Sequence, residues 1–390
     1  MLNVNSKANI LSLSLLIFLT SFLCSCTKPD LSKDTGHNVE FNQTETLEIK
    51  TIDGDYYIAI AAPLTGPYRE LGNTMVEGAT LAVEEYNRSA ENKKRIGTII
   101  IDDGGIVSEG IARASLVAEQ NALGVIGHLN SEISIEVSNI YSRSKIPAIS
   151  PASTNPKFTE RPSVKGYVFR TIGTDRQLGE MAADYVLSKP EYKRVAVLYN
   201  DRPYGVSVAT EFVREIARVD HKELVLYQTI PVRTEDHSMI AKKVADLKTD
   251  LVFFIGEYND AGYLLKDLKQ RRPEVQFLGA EGVYQQAFID IAGKAAEAAM
   301  IIGSSEAPSE ILADYKERYG KSSSGYVGNS YLATKIMIDA IKANNFKNSE
   351  DIAKTISENP IFDPNGDLIN PNFVIYTVKN GEFVVNKEKE

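Results

Sequence analysis

From Tyr56 onward, short apolar runs alternate with longer stretches in which apolar residues recur every three or four positions. The first kind reads as buried strand and the second as amphipathic helix. Tyr56–Ala62 (YYIAIAA) opens the series, and 71–86 follows with Met75, Ala79, Ala82, Val83 and Tyr86 on one helical face. The same pattern predicts strands at 98–101, 124–127, 147–150, 167–171, 194–199, 224–227, 251–255, 276–278 and 299–302. Helices are predicted over 111–120, 131–144, 206–219, 238–247, 260–270 and 328–344. Strands that are apolar along their whole length, separated by helices, belong to parallel sheets covered on both faces. There are too many for one small sheet, so two doubly wound, Rossmann-like α/β lobes are expected. The chain closes with strands at 372–378 and 382–385 around Asn380-Gly381, a type I′ hairpin signal.

The residues before Tyr56 follow a different pattern. Lys7 is the only charge before position 28, and 10–23 is a 14-residue apolar run, too short to span a bilayer but suited to a secretory leader. The run ends in Leu23-Cys24-Ser25-Cys26, which resembles the bacterial lipobox, whose Cys is diacylated and becomes the first residue of the mature chain. Cys26 is the acceptor expected, because cleavage before Cys24 would place bulky Phe22 and Leu23 at the cut. Residues 1–25 then form a signal peptide. Residues 26–54, polar and irregular, form a flexible tether to a membrane.

Composition narrows the function. The 390 residues are 43% apolar and 24% charged with a formal charge of -9, and an acidic chain lacks the basic face a general nucleic-acid binder needs. The only cysteines, Cys24 and Cys26, allow neither a disulfide framework nor a cysteine zinc site in the folded part. The four histidines (His37, His128, His221 and His237) form no metal-binding pair. Catalytic signatures are incomplete. An apolar strand ends in Asp102-Asp103 like a Walker B, but the nearest P-loop match, 315–322 (YKERYGKS), has Tyr315 where the first glycine should be. Ser142-Arg143-Ser144-Lys145 matches SxxK without its partner motifs, and no GxSxG or GxGxxG occurs. The chain reads as a binding protein, not an enzyme, with no cofactor or metal implied.

Ligands of open α/β sheets sit beyond the carboxyl ends of strands. Three such ends carry polar groups: His128-Leu129-Asn130-Ser131, the 151–156 stretch PASTNP, and Gly279-Ala280-Glu281-Gly282. Ser131 is expected at the N-cap of the following helix, Pro156 at the start of another, and Thr154 and the backbone of Ala152 free to point outward. Hydroxyls, amides and helix N-termini suit a carboxylate, and Glu281 suits an ammonium. Together they would make a site for a zwitterion.

Six stretches bring a family into view: APLTGPYRELG (62–72), GHLNSEIS (127–134), ISPASTNPKFTER (149–161), FRTIGTDRQLG (169–179), NDRPYG (200–205) and GAEGVY (279–284). In these the chain resembles the Leu/Ile/Val-binding solute receptors of ABC transporters, of the type I periplasmic-binding fold. The resemblance implies two lobes joined by a three-segment hinge, one of 55–171 plus 304–358 and the other of 172–303 plus 359–390. It implies an extracytoplasmic receptor, expected as a monomer, that closes on an amino acid and delivers it to an ABC permease. Residue by residue, Ser131, Ala152 with its neighbour Ser153, and Thr154 match the positions that hold the amino acid's backbone, and Glu281 the acid that takes the ammonium. Tyr204 and Tyr326 match aromatic residues of the cleft. Leu71 and Glu257 stand where branched-chain binders have tyrosines, and Gly328 where they have a tryptophan. Gly105 and Asn130 replace a cysteine pair. Glu257, if it faces the cleft, favours a polar or cationic side chain over an aliphatic one. Two other roles fit the same features: a lipoprotein sensor that signals to a membrane partner, and the same fold binding a small amide, urea or organic acid.

Overall fold

The computed structural model describes residues 52–305, 307–371 and 373–386. The leader, Cys26 and most of the tether lie outside them. The tether's described end is not loose: Thr98 donates its N–H to the Ile52 carbonyl at 3.1 Å, and Ile52 packs against the first lobe's core.

The first sheet has five parallel strands, β1 (Tyr56–Ala62), β2 (Ile96–Asp102), β3 (Val125–Gly127), β4 (Ala148–Ser150) and β5 (Val168–Arg170), in the order 2-1-3-4-5. Three helices follow its first strands: α1 (Arg69–Arg88), α2 (Val107–Glu119) and α3 (Ser131–Arg143). Alternate strand residues supply two cores. Ile58, Ile126 and Ile149 pack with Val83 of α1, while Ala59, Ala61, Val125 and Ala148 pack with Val117 of α2 and Ile133 and Val137 of α3. Both faces are therefore buried, as continuous apolar strands require.

The second sheet contains β6 (Arg194–Tyr199), β7 (Glu223–Thr229), β8 (Leu251–Ile255), β9 (Gln276–Gly279), β10 (Met300–Ser304), β11 (Phe373–Lys379) and β12 (Glu382–Val385), in the order 12-11-10-9-8-6-7. It is parallel except for β11, which pairs antiparallel with both β10 and β12 across the expected Asn380-Gly381 turn. Its helices are α4 (Asp175–Leu187), α5 (Pro203–Ile216), α6 (Ser238–Asp246), α7 (Tyr258–Arg271) and α8 (Gln286–Ala292). Val195, Val197, Phe253 and Ile302 pack with α4 and α5; Ala196, Leu198, Phe254 and Ile301 pack with α7 and α8.

Three last helices, α9 (Ser309–Tyr319), α10 (Val327–Ala343) and α11 (Ser349–Ser357), return to the first lobe. There Met337 and Ile341 of α10 and Ile352 of α11 complete the core around Ile58. The chain thus passes three times between the sheets: from β5 to α4, from β10 to α9, and from α11 to β11. Side chains stitch these passages together. Thr171 donates to the Asn329 carbonyl at 2.8 Å, and Asn329 donates to Pro151 O and Ser304 Oγ, each at 3.1 Å.

Helices α4, α8, α9 and α11 lie outside the expected set. Gly179, Ala182 and Ala183 make α4 a weak apolar signal, because its buried face is small enough for α5 to approach closely; a Cβ on Gly179 would lie 2.9 Å from the Phe212 backbone nitrogen. Helices α1, α2, α5 and α7 also begin two to four residues before their apolar period does.

Candidate functional site

The carboxyl ends of the strands in both sheets meet at one small cavity of about 30 Å³. The first lobe lines it with Leu71 from α1, the Leu129–Glu132 connection after β3, Ala152 and Thr154 after β4, and Tyr326 before α10. The second lobe supplies Arg202 and Tyr204 at the start of α5, Glu257 after β8, and Glu281 and Gly282 after β9. Gly282 lets the last two connections touch: a Cβ there would lie 2.6 Å from the Gly256 carbonyl oxygen. Both Glu257 and Glu281 line the cavity.

Hydrogen bonds hold the two walls together. Tyr326 donates its hydroxyl to Glu281 Oε1 at 2.6 Å, from one lobe to the other, and Tyr204 donates to Oε2. Arg202 pairs with Glu132 across the cleft, and its guanidinium lies 5.2 Å from the Tyr68 ring. Asn155 donates to Pro203 O at 3.2 Å, and Tyr258 to Pro67 O at 2.9 Å. The lobes are drawn together around the cavity.

Burial dominates the electrostatics. Glu281 is 4% exposed, and loss of hydration pushes its carboxyl above the usual range, opposed by the two tyrosine hydroxyls. Glu257, 6% exposed, is pushed up to about 7 by the same cause, opposed by Arg202 and reinforced by Asp260 and Glu132. Thr154 is buried, and its hydroxyl lies at the cavity wall within reach of the buried Asp175 carboxyl.

The model of the family described as periplasmic binding protein matches residues 55–378. The chain belongs to this family. It is 29% identical over 342 residues to Leu/Ile/Val-binding protein homolog 1 of Brucella abortus, covering 84% of this chain and 91% of that one. It is 27% identical over 335 residues to the leucine-, isoleucine-, valine-, threonine-, and alanine-binding protein of Pseudomonas aeruginosa, with coverage of 82% and 88%. The fold resembles that of a leucine binding protein from Thermotoga maritima with a TM-score of 0.77 at 23% identity, covering 85% of this chain and 97% of that one.

Within this periplasmic binding protein, most of the expected site residues converge, with three corrections. Ser131 is the first residue of α3, and Asn130 is the N-cap. The chain enters the helix one residue earlier than the hydroxyl suggests, and Asn130 Oδ1 is left buried without a partner. Ser153 turns away from the cavity: its hydroxyl bonds the carbonyls of His128 and Leu129, each at 3.2 Å, so it braces the site from behind. The N–H of Ala152, expected to be free, donates to Ser150 Oγ at 3.2 Å. Gly105 and Asn130 are neighbours, since a Cβ on Gly105 would lie 3.5 Å from Asn130 Oδ1.

Arg202, Glu132 and Leu129 complete the lining and were not singled out from the sequence. Arg202 carried a usable signal, a cation in the short connection after a strand and just before the Pro203 that starts a helix. Glu132 carried none, because an acid in the first turn of a helix is ordinary.

Proposed function

We propose that this protein is an extracytoplasmic receptor that captures an α-amino acid between two closing lobes and delivers it to an ABC permease, held at the membrane by a lipid on Cys26. One juxtaposition carries the reading. A buried acid from the second lobe, Glu281, faces the same cavity as Thr154 and the start of α3 from the first. An acid opposite a hydroxyl and a helix N-terminus suits an ammonium and a carboxylate on one carbon. The relatives named for leucine, isoleucine, valine, threonine and alanine support an amino acid as the class.

In this reading the lobes comprise 55–171 plus 304–358 and 172–303 plus 359–390, and act as bodies turning on the three passages between the sheets. A ligand that touches both lobes binds the closed form better and shifts the population to it. The permease then reads the closed form.

A thermal-shift screen of the common amino acids, with matched amides, ureas and carboxylic acids, tests the ligand class. At a concentration one hundred times its dissociation constant, a true ligand stabilises the protein by about 2.7 kcal/mol. If only amides, ureas or simple acids raise the transition, the amino-acid reading is wrong. Fatty-acid labelling of wild type and Cys26→Ser tests the anchor: label retained by the variant refutes it.

A further inference from the structure

Two carboxylates reach the cavity from the same lobe, and the amino-acid reading uses only one. Glu281 holds two tyrosine hydroxyls and meets the ammonium. Glu257 accepts one hydrogen bond at Oε2, from Asn200 Nδ2 at 3.0 Å. The cation acting on it is Arg202, already paired with Glu132 and stacked on Tyr68. Asp260, on the first turn of the helix that Glu257 caps, adds negative charge and is itself engaged by the backbone N–H of Arg233 at 2.8 Å. Tyr68, Tyr258 and Tyr326 present neutral phenols towards it from the first turn before α1, from α7 and from before α10. The charged side chains lining the cavity are Glu132, Glu257, Glu281 and Arg202. Arg202 answers Glu132 and the ammonium answers Glu281, so the zwitterion leaves Glu257 as the unmatched charge.

We propose that Glu257 selects the ligand's side chain: ionised, it takes a hydrogen-bond donor or a cation, and protonated, it admits an aliphatic side chain against Leu71 and Leu129. This rests on the amino-acid reading above and names the ligand class within it, α-amino acids with a donor on the side chain at and above neutral pH. Burial holds the Glu257 carboxyl near 7, so its charge changes within the range where the ligand's own zwitterion does not titrate. A buried, ionised carboxylate facing methyl groups forfeits its hydration with nothing in return. A hydroxyl, amide or amine at the same place restores a charge-assisted bond. Aliphatic ligands therefore bind with uptake of a proton above neutral pH, whereas donor-bearing ligands bind without it.

Threonine and valine have the same shape and differ by one hydroxyl, so their affinity ratio isolates this contact. Calorimetric titration of the full chain with threonine, valine and alanine at pH 5.5 and 8.5, in wild type and Glu257→Gln, decides the matter. The threonine-to-valine affinity ratio is expected to rise about tenfold or more from pH 5.5 to 8.5 in the wild type. It should stay constant in Glu257→Gln. A wild-type ratio that does not move with pH overturns the proposal even if the variant does not fold. So does a ratio that moves equally in both proteins. If alanine binds and the ratio is flat, only the role of Glu257 falls; if none of the three binds at either pH, the amino-acid reading falls and this proposal with it.

Discussion

Replacing Glu281 by Gln separates recognition from folding, because the two states use the residue differently. In this structure the carboxylate accepts from Tyr204 and Tyr326. The amide keeps one acceptor, and one tyrosine must turn its hydroxyl to accept from the new NH₂ group. A net hydrogen bond is worth about 1 kcal/mol, and the loss is offset because a carboxylate raised by burial is no longer held in the interior. Stability should change by less than about 1 kcal/mol. In the complex, however, the ammonium is desolvated opposite a neutral amide. Removing the partner of a buried charge costs about 2–4 kcal/mol, which weakens binding by about 30- to 1,000-fold. Urea unfolding of the free protein and calorimetric titration with the best amino acid from the thermal-shift screen measure the two terms. A dissociation constant within about threefold of wild type, with an unchanged unfolding midpoint, would show that Glu281 does not meet the ammonium.

Two further outcomes concern the frame around the site. Arg170 is fully buried, and it binds Asp367 together with the carbonyls of Ser153 and Asn155, at 2.8 and 3.1 Å, on either side of Thr154. Arg170→Met leaves those acceptors unmet and should cost about 3–5 kcal/mol in urea unfolding; a loss under about 1 kcal/mol would mean the network is not holding that loop. The second outcome is a pH dependence. Burial raises Glu257 and Asp175 to about 7 and Asp260 to about 6, above ordinary carboxyls near 4. The folded protein therefore binds these protons more tightly than the unfolded chain. The stability they contribute is full below about pH 4 and is lost as pH rises through 6 to 7, at up to about 1.4 kcal/mol per pH unit for each group. The urea midpoint of the ligand-free protein should be higher at pH 6 than at pH 8, and Asp175→Asn should flatten that slope; a midpoint that rises toward pH 8 contradicts the assignment.

The alternation of apolar runs with helical periods is local information, and it placed the strands to within a few residues. The rule that ligands sit beyond strand ends points to Thr154 after β4 and Glu281 after β9, and the fold brings both to one cavity. The same rule placed Glu257 at a strand end, but its direction depends on Gly282 meeting the Gly256 carbonyl, a contact between segments that no period encodes. Ser153 shows the converse. It stands beside Thr154 in a polar stretch that looks uniformly exposed, yet the carbonyls of the neighbouring strand connection draw it inward. Arg202 and Glu132 are 70 residues apart and on different lobes. Neither names the other by sequence; only the approach of the two sheets takes them out of water and makes one the necessary partner of the other.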